Sequence, residues 1–349
     1  MQSFLIRLLL LISLVPSGVQ AQTVFYPNGT FQDTDGDDFI AKNLPSKYYN
    51  ELWTYHINLE NGVQLIYTFM INDFGSFKDR ATGVKLSVTW TDGNTYVVNK
   101  KYDPSTFITE PDNNYIRLHP TRPYWAKGSF NDKHRLFFHN TKEGVQYDLD
   151  LTLYDIAQGK TLGDGTYKVG NNELGIALLI PHAKVKGFVA INGDTLNVKG
   201  VGYMDHIYQN NLSSEIIDRS YRIKTGDAQN GMFFHFLSLK NSGIQSPIGY
   251  GVGYTNGIPH MLTPSQIERV SSDSKVHDLD THVKIKPYQS EMLNIKVKKH
   301  MDTYSLLNEL GGIKKFLAKQ VIGGELIEMS GTVTINGDKP GYFYYMVAK

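Results

Sequence analysis

The chain has 349 residues, with 35 basic against 34 acidic side chains, 41% hydrophobic residues and no cysteine. The near balance of charge argues against a broad nucleic-acid-binding surface, and the lack of cysteine excludes a disulfide scaffold, thiolate catalysis and thiolate metal sites. The length suffices for one large domain or two modest ones, each able to bury a core.

The first 21 residues read as a cleaved secretory signal. Arg7 is their only charge, Phe4 to Ile6 and Leu8 to Val15 are apolar, Pro16-Ser17-Gly18 breaks the run, and Val19-Gln20-Ala21 forms a small-residue cleavage site. The apolar core is short for a bilayer span, and no later stretch is long enough for one. A mature chain starting near Gln22 is expected in a bacterial periplasm or outside the cell, with as many acidic as basic residues. Asp33-Thr34-Asp35-Gly36-Asp37-Asp38 has the composition of a calcium loop, but Asp38 falls where that loop needs glycine and Leu44 where it needs a bidentate glutamate. It reads as a solvated turn.

From there the pattern is antiparallel β. Trp53, Tyr55, Ile57 and Leu59 alternate with Leu52, Thr54, His56 and Asn58, and Asn61-Gly62 turns the chain into Val63, Leu65, Tyr67, Phe69 and Ile71. Val84 to Trp90 and Leu149 to Leu153 repeat the alternation, as do Met232, Phe234 and Phe236, and then Leu293, Ile295 and Val297. One segment, Tyr304 to Leu317, has helical spacing, weakened by Gly311-Gly312. Gly187-Phe188-Val189-Ala190-Ile191-Asn192-Gly193-Asp194 is echoed by Gly331-Thr332-Val333-Thr334-Ile335-Asn336-Gly337-Asp338, and each runs into an aromatic strand. Tyr55-His56-Ile57 is echoed more weakly by Tyr221-Arg222-Ile223. These repeats predict two consecutive antiparallel β domains, 22–206 and 207–349, joined near 207–217, each closing into a small barrel that hides its edges.

The main candidate for chemistry is Gly200-Val201-Gly202-Tyr203-Met204-Asp205-His206. Its glycines allow a bend or close backbone approach. On a regular strand Asp205 shares a side with Tyr203, and His206 shares the other with Met204 and Tyr208, so the two cannot face one cavity without a bulge. Asp205 reads either as a structural carboxylate or as a proton donor whose pKa is raised by apolar surroundings, and His206 either as a satisfied histidine or as an acid, base or orienting group. Trp53 and Tyr55, with Glu51 at the strand mouth, His235 between two phenylalanines, and Tyr254 with His260 beside a Gly- and Pro-containing loop are further pocket candidates. There is no phosphate-binding loop, serine elbow or compact metal signature, so no metal and no cofactor is expected.

Glu51-Leu52-Trp53-Thr54-Tyr55 and Gly200-Val201-Gly202-Tyr203-Met204-Asp205-His206 resemble the two leading signatures of the hydroxyneurosporene synthase family, also called carotenoid 1,2-hydratase or AttH-like. The chain departs from it at Leu52, where a second tryptophan is common, and at Ile207-Tyr208-Gln209. The resemblance implies two lipocalin-like barrels and an apolar, isoprenoid or polyene-like substrate that is hydrated, cyclised or isomerised. It also implies Asp205 managing a proton, His206 orienting water or Asp205, and Tyr203 and Trp53 shaping the cavity; Tyr55, Tyr208, His235 and Tyr254 are expected, from the residues themselves, as further ligand contacts. Two other classes stay open: a non-catalytic carrier of a lipid-like molecule, near a membrane but not spanning it, and a structural or surface-interaction protein with filled barrels. An open cavity holding Asp205 or His206 speaks for catalysis, one holding neither for carriage, and solid cores for the structural class.

Overall fold

The computed structural model describes residues 23–73, 79–119, 124–240, 247–305, 307, 319 and 324–349. The expected leader and most of the expected helix over 304–317 lie outside the described residues.

In the first half the strands are β1 (Val24–Phe25), β2 (Phe31–Asp33), β3 (Asn50–Leu59), β4 (Gln64–Asn72), β5 (Ala81–Thr89), β6 (Thr95–Tyr102), β7 (Phe107–Glu110), β8 (Tyr115–Leu118), β9 (Tyr124–Gly128), β10 (Lys133–Lys142), β11 (Val145–Tyr154), β12 (Lys160–Leu162), β13 (Thr166–Val169), β14 (Asn172–Ile191) and β15 (Asp194–Gln209). One helical turn, Ser213–Ile216, leads into β16 (Ile217–Thr225), β17 (Met232–Leu239), β18 (Ile248–Thr255), β19 (Ile258–Leu262), β20 (Pro264–Asp273), β21 (Leu279–Pro287), β22 (Leu293–Ser305), β23 (Leu326–Ile335) and β24 (Lys339–Ala348). Tyr304 and Ser305, expected to open a helix, instead end β22, where they pair with Glu328 and Ile327.

Two antiparallel sheets result, as the alternation predicts. The central path of the first runs β6-β5-β4-β3-β15-β14-β11-β10, continued by β9, β8 and β7, and the second runs β19-β18-β17-β16-β24-β23-β22-β21-β20. The two paths match strand for strand from β6 and β19 to β10 and β21. The echoed segments occupy equivalent hairpins, β14–β15 and β23–β24. Asn192 and Asn336 sit at φ 53° and 52°, each followed by a glycine of positive φ, as a tight hairpin turn requires. The Asn192 side chain accepts from the Gln146 amide at 2.9 Å, and that of Asn336 from the Asn294 amide at 2.8 Å. Both sheets therefore fasten the turn to the same neighbouring strand in the same way.

Each sheet curls around its own core. Trp53, Tyr55, Tyr67, Phe69, Tyr124 and Phe138 fill the first, and Tyr221, Phe234, Phe236, Phe343 and Tyr345 the second. Among the described residues the hydrogen-bonded paths end at β6 and β7 and at β19 and β20, so backbone pairing does not close the barrels as expected. In the first barrel side chains bridge the seam: the Tyr102 ring lies 5.3 Å from His119 and 6.0 Å from Tyr124. A third apolar cluster joins the barrels, with Tyr167, Leu174, Ile176 and Leu178 from the first against Phe233, Leu237, Ile248 and Tyr250 from the second. The Tyr250 hydroxyl donates to the Ile176 carbonyl at 2.8 Å, which pins the contact. Among the described residues no helix is long and apolar enough to cross a membrane.

Candidate functional site between the barrels

The strand alternation that fills the barrels also builds the surface between them. On β3, Trp53, Tyr55 and Ile57 point inward, and Thr54, His56 and Asn58 point out, yet all three outward residues are buried. On β16, Tyr221 and Ile223 point inward, and Ser220, Arg222 and Lys224 point out and are equally buried. The two polar faces cover each other. Cross-strand pairing sets Tyr203 and Asp205 of β15 beside His56 and Thr54, and sets His235 and Tyr344 on either side of Arg222. Gly200 and Gly202 matter here through close approach: a Cβ on Gly200 would lie 2.2 Å from the Asn58 carbonyl oxygen, and one on Gly202 2.9 Å from Val185. They let β15 lie tightly against its neighbours just before Tyr203 and Asp205.

Asp205 is wholly buried at the centre of this layer. Arg222 Nε donates to its Oδ2 at 2.6 Å, His235 Nδ1 lies 3.4 Å from the same oxygen, and His56 Nε2 is 3.9 Å from Oδ1. Burial by itself raises the Asp205 pKa, but the Arg222 guanidinium, with His235 and His56, outweighs burial and holds the carboxyl well below the usual range. Of the two readings that the sequence leaves open for Asp205, the geometry fits the fixed carboxylate and not the acid with a raised pKa. An arginine 17 residues away in sequence supplies the charge that apolar neighbours would have withheld. Burial, reinforced by Arg222, lowers the His235 pKa to about 4, and burial, reinforced by Lys224, lowers that of His56, so both rings are neutral at pH 7. Burial also depresses the Lys224 ammonium, whose Nζ lies 5.3 Å above the Tyr203 ring.

Ser220, His235 and Asp205 follow one another in the order of a nucleophile, base and orienting acid, with Ser220 Oγ 2.8 Å from His235 Nε2. Ser220 is 1% exposed, however, and lies under Arg222, whose Nη1 is 3.5 Å from the same hydroxyl. The chain of contacts frames the guanidinium instead of presenting a nucleophile.

Beside Arg222 the barrels part around a cavity of about 150 Å³. Thr54, Thr68 and Lys85 of the first barrel and Arg222, Glu328 and Tyr344 of the second form its polar wall, while Leu52, Met70, Leu212, Leu326 and Met346 form its apolar wall. Lys85 Nζ meets Glu328 Oε2 at 2.6 Å across the barrel boundary and sits 3.4 Å over the Tyr304 ring. A space of this size accommodates about one six-membered ring. Among the described residues no group of three or more His, Asp or Glu side chains is placed to hold a metal ion.

The residues singled out from sequence separate accordingly. Asp205 and His235 meet in the charged layer, and Tyr203 shares it under Lys224. His206 faces the other way: Nδ1 meets the Asp38 carbonyl at 2.6 Å, Nε2 meets Glu51 Oε1 at 2.8 Å, and its ring stacks on Trp53 at 4.5 Å. Both nitrogens are occupied by protein acceptors, so His206 fastens the amino-terminal segment to the first barrel. Trp53 and Tyr55 lie in that barrel's filled core, Tyr55 bonded to His134 at 2.9 Å. Tyr208 bonds to Thr166 at 2.6 Å, and neither it nor Tyr254 is on the cavity wall. His56, Lys85, Arg222, Lys224, Glu328 and Tyr344 were not singled out. The signal for two of them was the echo between Tyr55-His56-Ile57 and Tyr221-Arg222-Ile223, whose central residues the barrels bring to one interface.

Neither a family sequence profile nor any curated protein sequence matches the chain. Solved structures do. A protein designated AttH from Nitrosomonas europaea superposes with a TM-score of 0.61 at 14% identity, covering 93% of this chain and 99% of that one. CghA in complex with Sch210972 gives 0.58 at 10% identity, covering 91% and 98%. Kievitone hydratase from Nectria haematococca gives 0.50 at 12% identity, covering 93% and 97%. The chain is thus an all-β protein with the two-barrel, lipocalin-like fold of AttH-like and hydratase proteins. The expected resemblance is borne out at the level of fold.

Proposed function

We propose that the protein is an exported enzyme that hydrates, cyclises or isomerises a small, largely apolar molecule of isoprenoid or similar type bearing an oxygen function. The reaction is placed in the cleft between the barrels. The observation that carries this reading is Arg222. It lines the cavity, Asp205 fixes it through Nε, and among the described residues its only other hydrogen bond is the long one to Ser220, which leaves N–H donors for a ligand oxygen. A guanidinium held in place before the reaction starts stabilises developing negative charge without reorganising. The apolar side chains further along the strands of the polar wall, Leu52, Met70, Leu326 and Met346, suit a hydrocarbon body. Among the structural neighbours, one is named a hydratase and another was crystallised with Sch210972, which supports the reading.

One observation favours carriage without turnover: Asp205 and His206 are both off the cavity wall. Conversion separates the two readings. The mature protein is incubated with a panel of isoprenoids, polyenes and cyclic ketones, and products are followed by liquid chromatography with mass detection. The enzyme reading expects a hydrated or isomeric product, and a loss of at least about tenfold in Arg222→Lys, which keeps the charge on Asp205 but gives up the planar fork. Binding without conversion across the panel establishes the carrier reading, and turnover unchanged in Arg222→Lys removes Arg222 from the site.

A further inference from the structure

The charged layer contains two kinds of carboxylate. Asp205 is sealed, with one oxygen covered by Arg222 and His235. Glu328 is half-buried and is the only acidic residue on the cavity wall among the described residues. Lys85 of the first barrel holds its Oε2, so two barrels are needed to place one carboxylate. The groups facing it come from four strands: Lys85 of β5, Asp302 and Tyr304 of β22, Tyr344 of β24 and Arg222 of β16. Burial by itself raises the Glu328 pKa, but Lys85, with Tyr344 and Arg222, outweighs burial and holds it below the usual range. Burial and Glu328 raise the Tyr344 pKa, so that hydroxyl keeps its proton. The cavity wall therefore carries an ionised base, a fixed cation and a protonated phenol, with the Arg222 guanidinium 5.3 Å from the Tyr344 ring.

Resting on the assignment of the cleft as a small-molecule site, we propose that Glu328 is its general base and that the substrate is a carbonyl compound with a doubly activated C–H, of the β,γ-unsaturated ketone class. In the first step a Glu328 oxygen takes the proton from the carbon next to the carbonyl. The C–H electron pair moves into the new C–C double bond, and the carbonyl π pair moves onto oxygen beside Arg222. In the second, the Glu328 carboxylic acid returns the proton to the γ-carbon, which restores the carboxylate and leaves a conjugated ketone of the same mass. No redox partner or cofactor enters the balance. A carboxylate so firmly held is a weak base, which is why the C–H must be activated on both sides.

Two probes of about one ring in size test this. Cyclohexane-1,3-dione, an enolate at neutral pH, reports on the cleft through its effect on the melting temperature. Conversion of 3-cyclohexen-1-one to 2-cyclohexen-1-one, followed by ultraviolet absorbance and proton NMR, reports on the base. The expected result is that the wild type binds the dione and isomerises the enone, while Glu328→Gln still binds the dione and loses at least about 100-fold in turnover. Glu328→Asp, which keeps the partner of Lys85 but withdraws the carboxylate by one methylene, is expected to lose turnover as well, so a folding defect in the first variant does not end the test. Dione binding with no isomerisation by the wild type, or full turnover in Glu328→Gln, overturns the base assignment and leaves the cleft standing. Failure of the wild type to bind the dione overturns the cleft reading itself.

Discussion

The barrels meet in two places of opposite character. In one, Phe233, Leu237, Ile248 and Tyr250 pack dry against Tyr167, Leu174, Ile176 and Leu178. In the other, Asp205, Arg222, Lys224 and Lys85 are buried with two histidines, and the half-buried Glu328 pairs with Lys85 at the edge. The first contact alone explains why the barrels stay together, because burying an aromatic or aliphatic side chain stabilises by roughly 1.5–3 kcal/mol. The second has a desolvation cost that pairing only partly offsets. A layer needed only for cohesion would be more stable if it were apolar, so its charge points to a ligand, and the cavity lies at its edge.

The largest effects come from breaking either contact by a single truncation. Phe233→Ala in the dry contact is expected to cost about 3–5 kcal/mol, as for other buried aromatics. Asp205→Ala is expected to cost about as much for a different reason, since it leaves Arg222 buried without its counter-charge. Urea unfolding of the two variants measures both. They separate on a second change: adding Arg222→Met restores stability to Asp205→Ala and does nothing for Phe233→Ala. If both respond alike, the two contacts are not distinct.

A smaller effect should follow pH. His235 titrates at about 4 in the folded protein, lowered by burial and Arg222 from an ordinary value of 6.5. Between those values the unfolded chain binds a proton that the folded chain refuses, so the native state loses stability as pH falls from about 6.5 to about 4, by on the order of 3 kcal/mol for this one ring. His56 adds to the same loss. Asp205 acts in a lower window: its depressed pKa contributes stability above its ordinary 3.8 that is lost only as pH falls further. Denaturant midpoints between pH 7 and pH 4 should therefore decline, and His235→Gln should flatten the decline; an unchanged slope would mean that the ring is not held neutral.

Much of the fold was legible because interior-facing residues obey a period of two. Trp53, Tyr55 and Ile57, then Phe234 and Phe236, mark the inner faces, and the two Asn-Gly turns mark equivalent hairpins. The outer faces were harder to read. Thr54, His56 and Asn58 have the pattern of a solvated face, and nothing local says that Ser220, Arg222 and Lys224 of another barrel cover them. Asp205 was legible as a special position, but its charge state was not, because Arg222 and His235 reach it through tertiary structure. Glu328 carried no local signal: it follows Leu326 and Ile327 on an ordinary strand and acquires its setting from Lys85, 243 residues away.

The most direct test of the central claim, that the charged layer is retained for a ligand and not for cohesion, is the double substitution Asp205→Leu with Arg222→Met. Its urea unfolding free energy and its affinity for cyclohexane-1,3-dione are measured beside the wild type. The account predicts stability unchanged or raised by about 1–4 kcal/mol, as when other buried ion pairs are replaced by apolar residues, together with loss of dione binding. A double variant several kcal/mol less stable that still binds the dione as the wild type does would contradict it.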